Sequence, residues 1–150
     1  MSVGKFCNRQ VVIAGCDRDI VAVAKLMRQY HVGTVVIVKE EEATPRIPVG
    51  IITDRDIVVE LLAMEIALDS VTVGDAMSYQ LATAHEADSI GDTLQTMRSK
   101  GIRRMVVVDD NGGLAGILTT DDLLELFAEE LTSLATITIG QQSRERQIRD

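Results

Sequence analysis

Gly50-Ile51-Ile52-Thr53-Asp54-Arg55-Asp56 decides the fold, because its grammar returns at Gly116-Ile117-Leu118-Thr119-Thr120-Asp121-Asp122. Each copy is a short apolar run rich in β-branched residues, then Thr-x-x-Asp, then a hydrophobic helical pattern. The polar residues therefore sit where a strand hands over to a helix. Thr is the expected N-cap and Asp follows three residues later, beside backbone N–H groups that attract phosphate and other anions.

The repetition extends outward from this stretch. Displacing the chain by 70 residues sets Gly4 on Gly74, Gln10 on Gln80, Ala14 on Ala84, Ile20 on Ile90, Met27 on Met97 and Val36 on Val106. Past Val38 the offset falls to 66, since Gly50 meets Gly116. A four-residue insertion in the loop from Lys39 to Pro48 accounts for the change. Two copies of one small site imply two copies of one small fold.

Within each copy the pattern reads strand, helix, strand, strand, helix. The first copy gives a strand Val11 to Ile13, a helix Asp17 to Tyr30 with Ile20, Val23, Ala24 and Met27 inward, strands Thr34 to Val38 and Val49 to Thr53, and a helix from about Asp54. The second gives Leu81 to Thr83, a helix Ser89 to Lys100 with Ile90, Leu94 and Met97 inward, Arg104 to Val108, and a hairpin turn at Asp109 to Gly113. Strands joined through a helix should run parallel, and those joined by the turn antiparallel. The expectation is a mixed α/β (α+β) fold, with one repeat in residues 1–68, a second in 69–131, and a polar tail or frayed helix extension in 132–150. Met27, Met64, Met97 and Met105 read as core filler.

The helices 56–66 and 122–131 are apolar around most of their circumference, through Ile57, Val58, Leu61, Leu62, Leu123, Leu124, Phe127 and Leu131. Such a helix is buried on two sides, so part of this surface should face the other repeat or a second subunit. A homodimer through these helices is expected.

The composition, 46% hydrophobic and 25% charged in 150 residues, is that of a globular protein. A net charge of −8 argues against nucleic acid, whose binding rests on Lys and Arg. No apolar run approaches a bilayer span, the first residues lack a signal-peptide pattern, and Cys7 and Cys16 form no CxxC. A cytoplasmic protein with ordinary reduced thiols and no membrane role is expected. His31 and His85 have no second ligand at metal spacing, and no nucleophile–base pair or phosphate-loop motif stands out. Neither metal nor catalysis is expected.

The paired Gly-hydrophobic-hydrophobic-Thr-x-x-Asp signatures, the run Arg103-Arg104-Met105-Val106-Val107-Val108-Asp109 and the repeat order resemble a tandem cystathionine β-synthase (CBS) domain pair, or Bateman module, of the stand-alone bacterial type. The resemblance covers roughly residues 3 to 131. It implies two repeats packed through their sheets with pseudo-two-fold symmetry and a regulatory module that binds AMP, ADP or ATP between them and reports to an unidentified protein partner; S-adenosylmethionine stands behind the nucleotides. By this resemblance Asp56 and Asp122 take the ribose hydroxyls, Thr53 and Thr119 contact ribose or phosphate, and Arg103 and Arg104 hold phosphate. Their first-repeat counterparts are Gly33 and Thr34, so His31 and Arg55 are the nearby substitutes, and the two clefts should differ in phosphate affinity. Ile13, Ile20, Ile90 and Val35 would border the adenine. The bland readings stand beside these. Thr-x-x-Asp also caps a helix without any ligand, adjacent arginines also make a solvated edge, and the whole pair also serves as a ligand-free dimerising scaffold.

Overall fold

The computed structural model describes residues 1–149. The chain divides into a first unit, Met1–Leu118, which holds the strand framework up to the last residue of its final strand, and a second that begins at Thr119. In chain order the first unit contains α1 (Val3–Phe6), β1 (Ile13–Gly15), α2 (Ile20–Tyr30), β2 (Thr34–Val38), β3 (Pro48–Thr53) and α3 (Asp54–Asp56), which continues as a π-helical turn Ile57–Leu62. A 3-10 turn Leu68–Ser70 leads to α4 (Val73–Ala76), β4 (Thr83–His85), α5 (Ile90–Lys100), β5 (Arg104–Val108) and β6 (Leu114–Thr119). A single long helix, α6 (Thr120–Arg149), forms the second unit.

The described residues form two three-stranded sheets, β1-β2-β3 and β4-β5-β6. β1 runs parallel to β2 with Ile13 opposite Val36, and β4 runs parallel to β5 with Thr83 opposite Val106. β2 and β3 are antiparallel, with Thr34 opposite Thr53. This is the mixed topology that the strand-helix-strand-strand order requires. Val36 from one repeat meets Val106 and Val108 from the other, with Val11, Leu81, Leu114 and Ile117 around them. The two repeats thus pack through their sheets.

The short helices α1 and α4, which the hydrophobic pattern does not reveal, are exchanged between repeats. Val3 N–H donates to Asp88 O and Gly4 N–H to Glu86 O, both 2.9 Å, so the first helix closes the β4–α5 turn of the second repeat. Symmetrically, Val73 N–H donates to Arg18 O at 2.8 Å and Gly74 N–H to Cys16 O at 2.9 Å. A Cβ on Gly4 would lie 2.9 Å from Glu86 Cβ, and one on Gly74 2.9 Å from Cys16 O. The preserved glycine pair marks these two close approaches.

Several sequence expectations shift. β1 and β4 begin two residues later than read, because Val11 and Leu81 pack between the sheets and lie outside the ladders. Asp19 caps α2 through Ala22 N–H at 2.7 Å, so that helix starts at Ile20. Its buried positions are Ile20, Val23 and Met27, with Ala24 exposed, and in α5 they are Ile90, Thr93 and Met97, with Leu94 exposed. Met64 is exposed as well, since the helical run after Thr53 ends at Leu62 and Glu65 turns to φ +56°. At the other end of the chain α6 stays helical through Arg149, where a polar tail was one of the two readings.

Candidate functional site

The signature builds its local geometry from a reciprocal pair of hydrogen bonds. Thr53 Oγ1 accepts from Asp56 N–H at 3.1 Å, and Asp56 Oδ2 accepts from Thr53 N–H at 2.8 Å. Thr119 and Asp122 repeat this at 3.2 and 2.9 Å, with a further bond from Thr119 Oγ1 to Asp122 Oδ2 at 2.8 Å. Both orphan donors of the helix start are satisfied, so the capping reading is correct as far as it goes. Thr72 and Asp75 form the same box at the start of α4, outside either signature. The box by itself is therefore only structural.

What separates the signatures from Thr72–Asp75 is their surroundings. Gly50 brings β3 against the chain that follows α4: a Cβ there would lie 2.9 Å from Ser78 O. Ile51 and Ser78 consequently exchange backbone hydrogen bonds, Ser78 N–H to Ile51 O at 3.0 Å and the reverse at 3.4 Å. Asn8 and Ile117 make the equivalent bridge at 2.8 and 2.9 Å. A cleft of about 200 Å³ opens beside the first bridge, lined by Ile51 and Thr53 from one repeat and by Ser78, Gln80, Leu81, Ala82, Ile102, Arg103, Arg104 and Val106 from the other.

The helix α5 aims the two arginines. It ends at Gly101, whose φ of +63° lets Gly101 N–H reach Arg98 O and Ile102 N–H reach Met97 O. The chain then enters β5 with Arg103 and Arg104 at its mouth, both exposed. The lining thus combines the apolar side chains of Ile51, Leu81, Ile102 and Val106 with the hydroxyls of Thr53 and Ser78 and the guanidinium groups of Arg103 and Arg104. This combination suits a planar apolar group carrying an anionic substituent.

A second cleft, of about 680 Å³, is lined by Asn8, Gln10, Val11, Val12, Ile13, Leu26, Tyr30 and Val32. Asn8, Gln10, Val11, Val12 and Val32 are the 70-residue counterparts of Ser78, Gln80, Leu81, Ala82 and Ile102. Among the described residues no charged side chain lines it, since Gly33 and Thr34 stand where the other repeat has arginines. The roomier cleft is the less suited to phosphate.

Of the sequence candidates, Thr53, Arg103 and Arg104 come together in one cleft, with Asp56 tied to Thr53 by the capping box, and Ile13 lines the other. Ile20 and Val35 have no exposed surface and Ile90 only 2%; their inward positions on α2, β2 and α5 put them in the core and not on a cleft wall, which corrects the adenine assignment. His31 and Arg55 are exposed and line neither cleft. His31 occupies the left-handed cap of α2 with φ +54°, the place that Gly101 takes in the second repeat, so it ends a helix there. Sequence reading missed Ser78, Gln80 and Ala82, although the internal match of Gln10 to Gln80 was the available signal.

The fold and its paired clefts define a tandem-repeat α/β module. The family model described as CBS domain matches residues 3–63 and 73–129, and the chain belongs to that family. It is 37% identical over 126 residues to an uncharacterized protein, MK0525, of Methanopyrus kandleri, covering 84% of this chain and 62% of that protein's length. Among solved structures it resembles the CBS domain protein PAE2072 from Pyrobaculum aerophilum complexed with AMP, at 26% identity and a TM-score of 0.73, covering 85% of this chain and 99% of that one. It also resembles the CBS domain pair of protein MJ0100 in complex with 5'-methylthioadenosine and S-adenosyl-L-methionine, at 27% identity and a TM-score of 0.74, covering 87% and 98%.

Proposed function

We propose that the chain is a non-catalytic regulatory module that binds an adenine nucleotide, AMP, ADP or ATP, in the cleft of Thr53, Arg103 and Arg104, and signals its occupancy to a protein partner in the cytoplasm. The observation that carries this is the convergence of Thr53 from one repeat with Arg103 and Arg104 from the other on one cleft that is also lined by apolar side chains. In this reading the guanidinium groups take the phosphate, Thr53 and the Asp56 carboxylate beside it take the ribose side, and the adenine lies against Leu81, Ile102 and Val106. The complexes of PAE2072 with AMP and of MJ0100 with adenosyl ligands support the same class of ligand. Phosphate recognition places S-adenosylmethionine second.

The test is a thermal-shift comparison of AMP, ADP, ATP, adenosine and S-adenosylmethionine. At a hundredfold excess over its dissociation constant a ligand stabilises by about 2.7 kcal/mol, or roughly 5 to 10 °C for a chain of this size. Nucleotides should shift the transition more than adenosine does, and the difference should shrink as salt rises. Adenosine equal to AMP at low salt would remove the phosphate role; no shift with any of them would leave the dimerising scaffold as the function.

A further inference from the structure

The helix α6 runs from Thr120 to Arg149, and its far half has the composition of a helix that needs a partner. Thr136, Ile137, Thr138, Ile139 and Gly140 are consecutive poor helix formers, and helices with such stretches depend on packing an apolar face. Yet Leu134, Ile137 and Ile148 are 62%, 68% and 83% exposed. Along this half Glu130, Leu134, Ile137, Gln141, Arg144 and Ile148 recur at alternating spacings of four and three, the spacing of a coiled-coil seam. Ile137, Gln141, Arg144 and Ile148 do share one face, where they border a shallow groove with Gly140 and Glu145.

Charge selects the occupant of that face. From Thr120 to Ser143 the helix carries Asp121, Asp122, Glu125, Glu129 and Glu130 and no Lys or Arg, whereas its last turns carry Arg144, Arg146 and Arg149 against Glu145. We propose that α6 pairs with α6 of a second copy of this chain, antiparallel, with Ile137 at the two-fold axis. Position 130 then falls opposite position 144, so Glu130 of each copy meets Arg144 of the other, and Leu134 lies over Gly140, where a Cβ would find nothing within 4 Å. A parallel pair would set Glu130 against Glu130 and Arg144 against Arg144. Opposite charges facing each other across the seam fix the orientation, as charge patterning does in coiled coils generally.

The experiment is sedimentation velocity on the full chain and its charge variants at low micromolar concentration. Wild type should be dimeric; Arg144→Glu and Glu130→Arg should each shift it to monomer by opposing like charges, and the double exchange should restore the dimer. Ile137→Cys should give an interchain disulfide joining the two 137 positions, identified by peptide mapping, while Ile139→Cys on the opposite face should not. A monomeric wild type, single variants that leave the dimer intact, or a double variant that stays monomeric would overturn the proposal. So would crosslinking at position 139 in preference to 137.

Discussion

Arg103 and Arg104 are worth what their geometry allows a phosphate to use. A charge-assisted hydrogen bond is worth about 1.5 to 3 kcal/mol, so Arg103→Ala or Arg104→Ala should each weaken AMP about tenfold or more while leaving adenosine nearly unchanged. Calorimetric titration of both ligands checks the split. His31 makes the contrasting case. Its left-handed conformation, φ +54°, costs a non-glycine residue roughly 1 to 2 kcal/mol, and Gly101 shows what the same cap looks like without that cost. His31→Gly should therefore raise stability by up to about 1 kcal/mol, read from a denaturant midpoint, with nucleotide affinity unchanged. A loss of affinity would return His31 to the binding site. From sequence, Thr53 and the arginines were legible as residues that share a cleft because motif and charge stand out against an acidic chain. Ile20, Val35 and Ile90 were misassigned because an apolar residue looks the same whether it faces a core or a cleft.

The long β2–β3 loop, which the first repeat has and the second lacks, is tied to the β1–α2 turn through the Glu41 side chain. Glu41 Oε1 accepts from Arg18 Nε at 2.8 Å and from Gly15 N–H at 2.6 Å, while Oε2 accepts from Arg18 Nη2 at 2.9 Å. The Arg18 guanidinium foremost, and then the Gly15 amide, hold the Glu41 carboxyl down to about 2. A carboxylate with a lowered folded value contributes stability above its unfolded value, near 4.5, and loses it as pH falls toward 2. Glu41→Gln should flatten the fall in melting temperature across that window. An unchanged slope would show that the loop is held by other means. Strand β3 ends in the close approach at Gly50, and Gly50→Ala, driving a methyl into Ser78 O and Met77, should cost about 1 to 3 kcal/mol. Strand order, the insertion and this hairpin were readable from turn chemistry and the broken offset. The four-residue helices α1 and α4 were not, being too short to show a period.

Across the pair of repeats, the two clefts are related by symmetry and differ in charge. The exchange of α1 and α4 routes the segments around Asn8 and Ser78 along the opposite repeat, and each then borders a cleft. Self-similarity within one chain revealed the pairing of the clefts and, through Gly33 and Thr34, their difference in charge. It could not reveal that the segments after the short helices line them, because exchange between repeats is a tertiary property. The central question is whether the cleft of Thr53, Arg103 and Arg104 binds nucleotide through these groups. Isothermal titration of AMP into the wild-type chain and into the variant Asp56→Ala/Arg103→Ala/Arg104→Ala, with folding verified by circular dichroism, tests this. Binding to the wild type should be saturable and should weaken at least about a thousandfold at this cleft in the folded variant, each of the three lost charged contacts being worth about a factor of ten or more. Equal AMP affinity in the two proteins, or no heat of binding to the wild type at millimolar AMP, ADP or ATP, would contradict it.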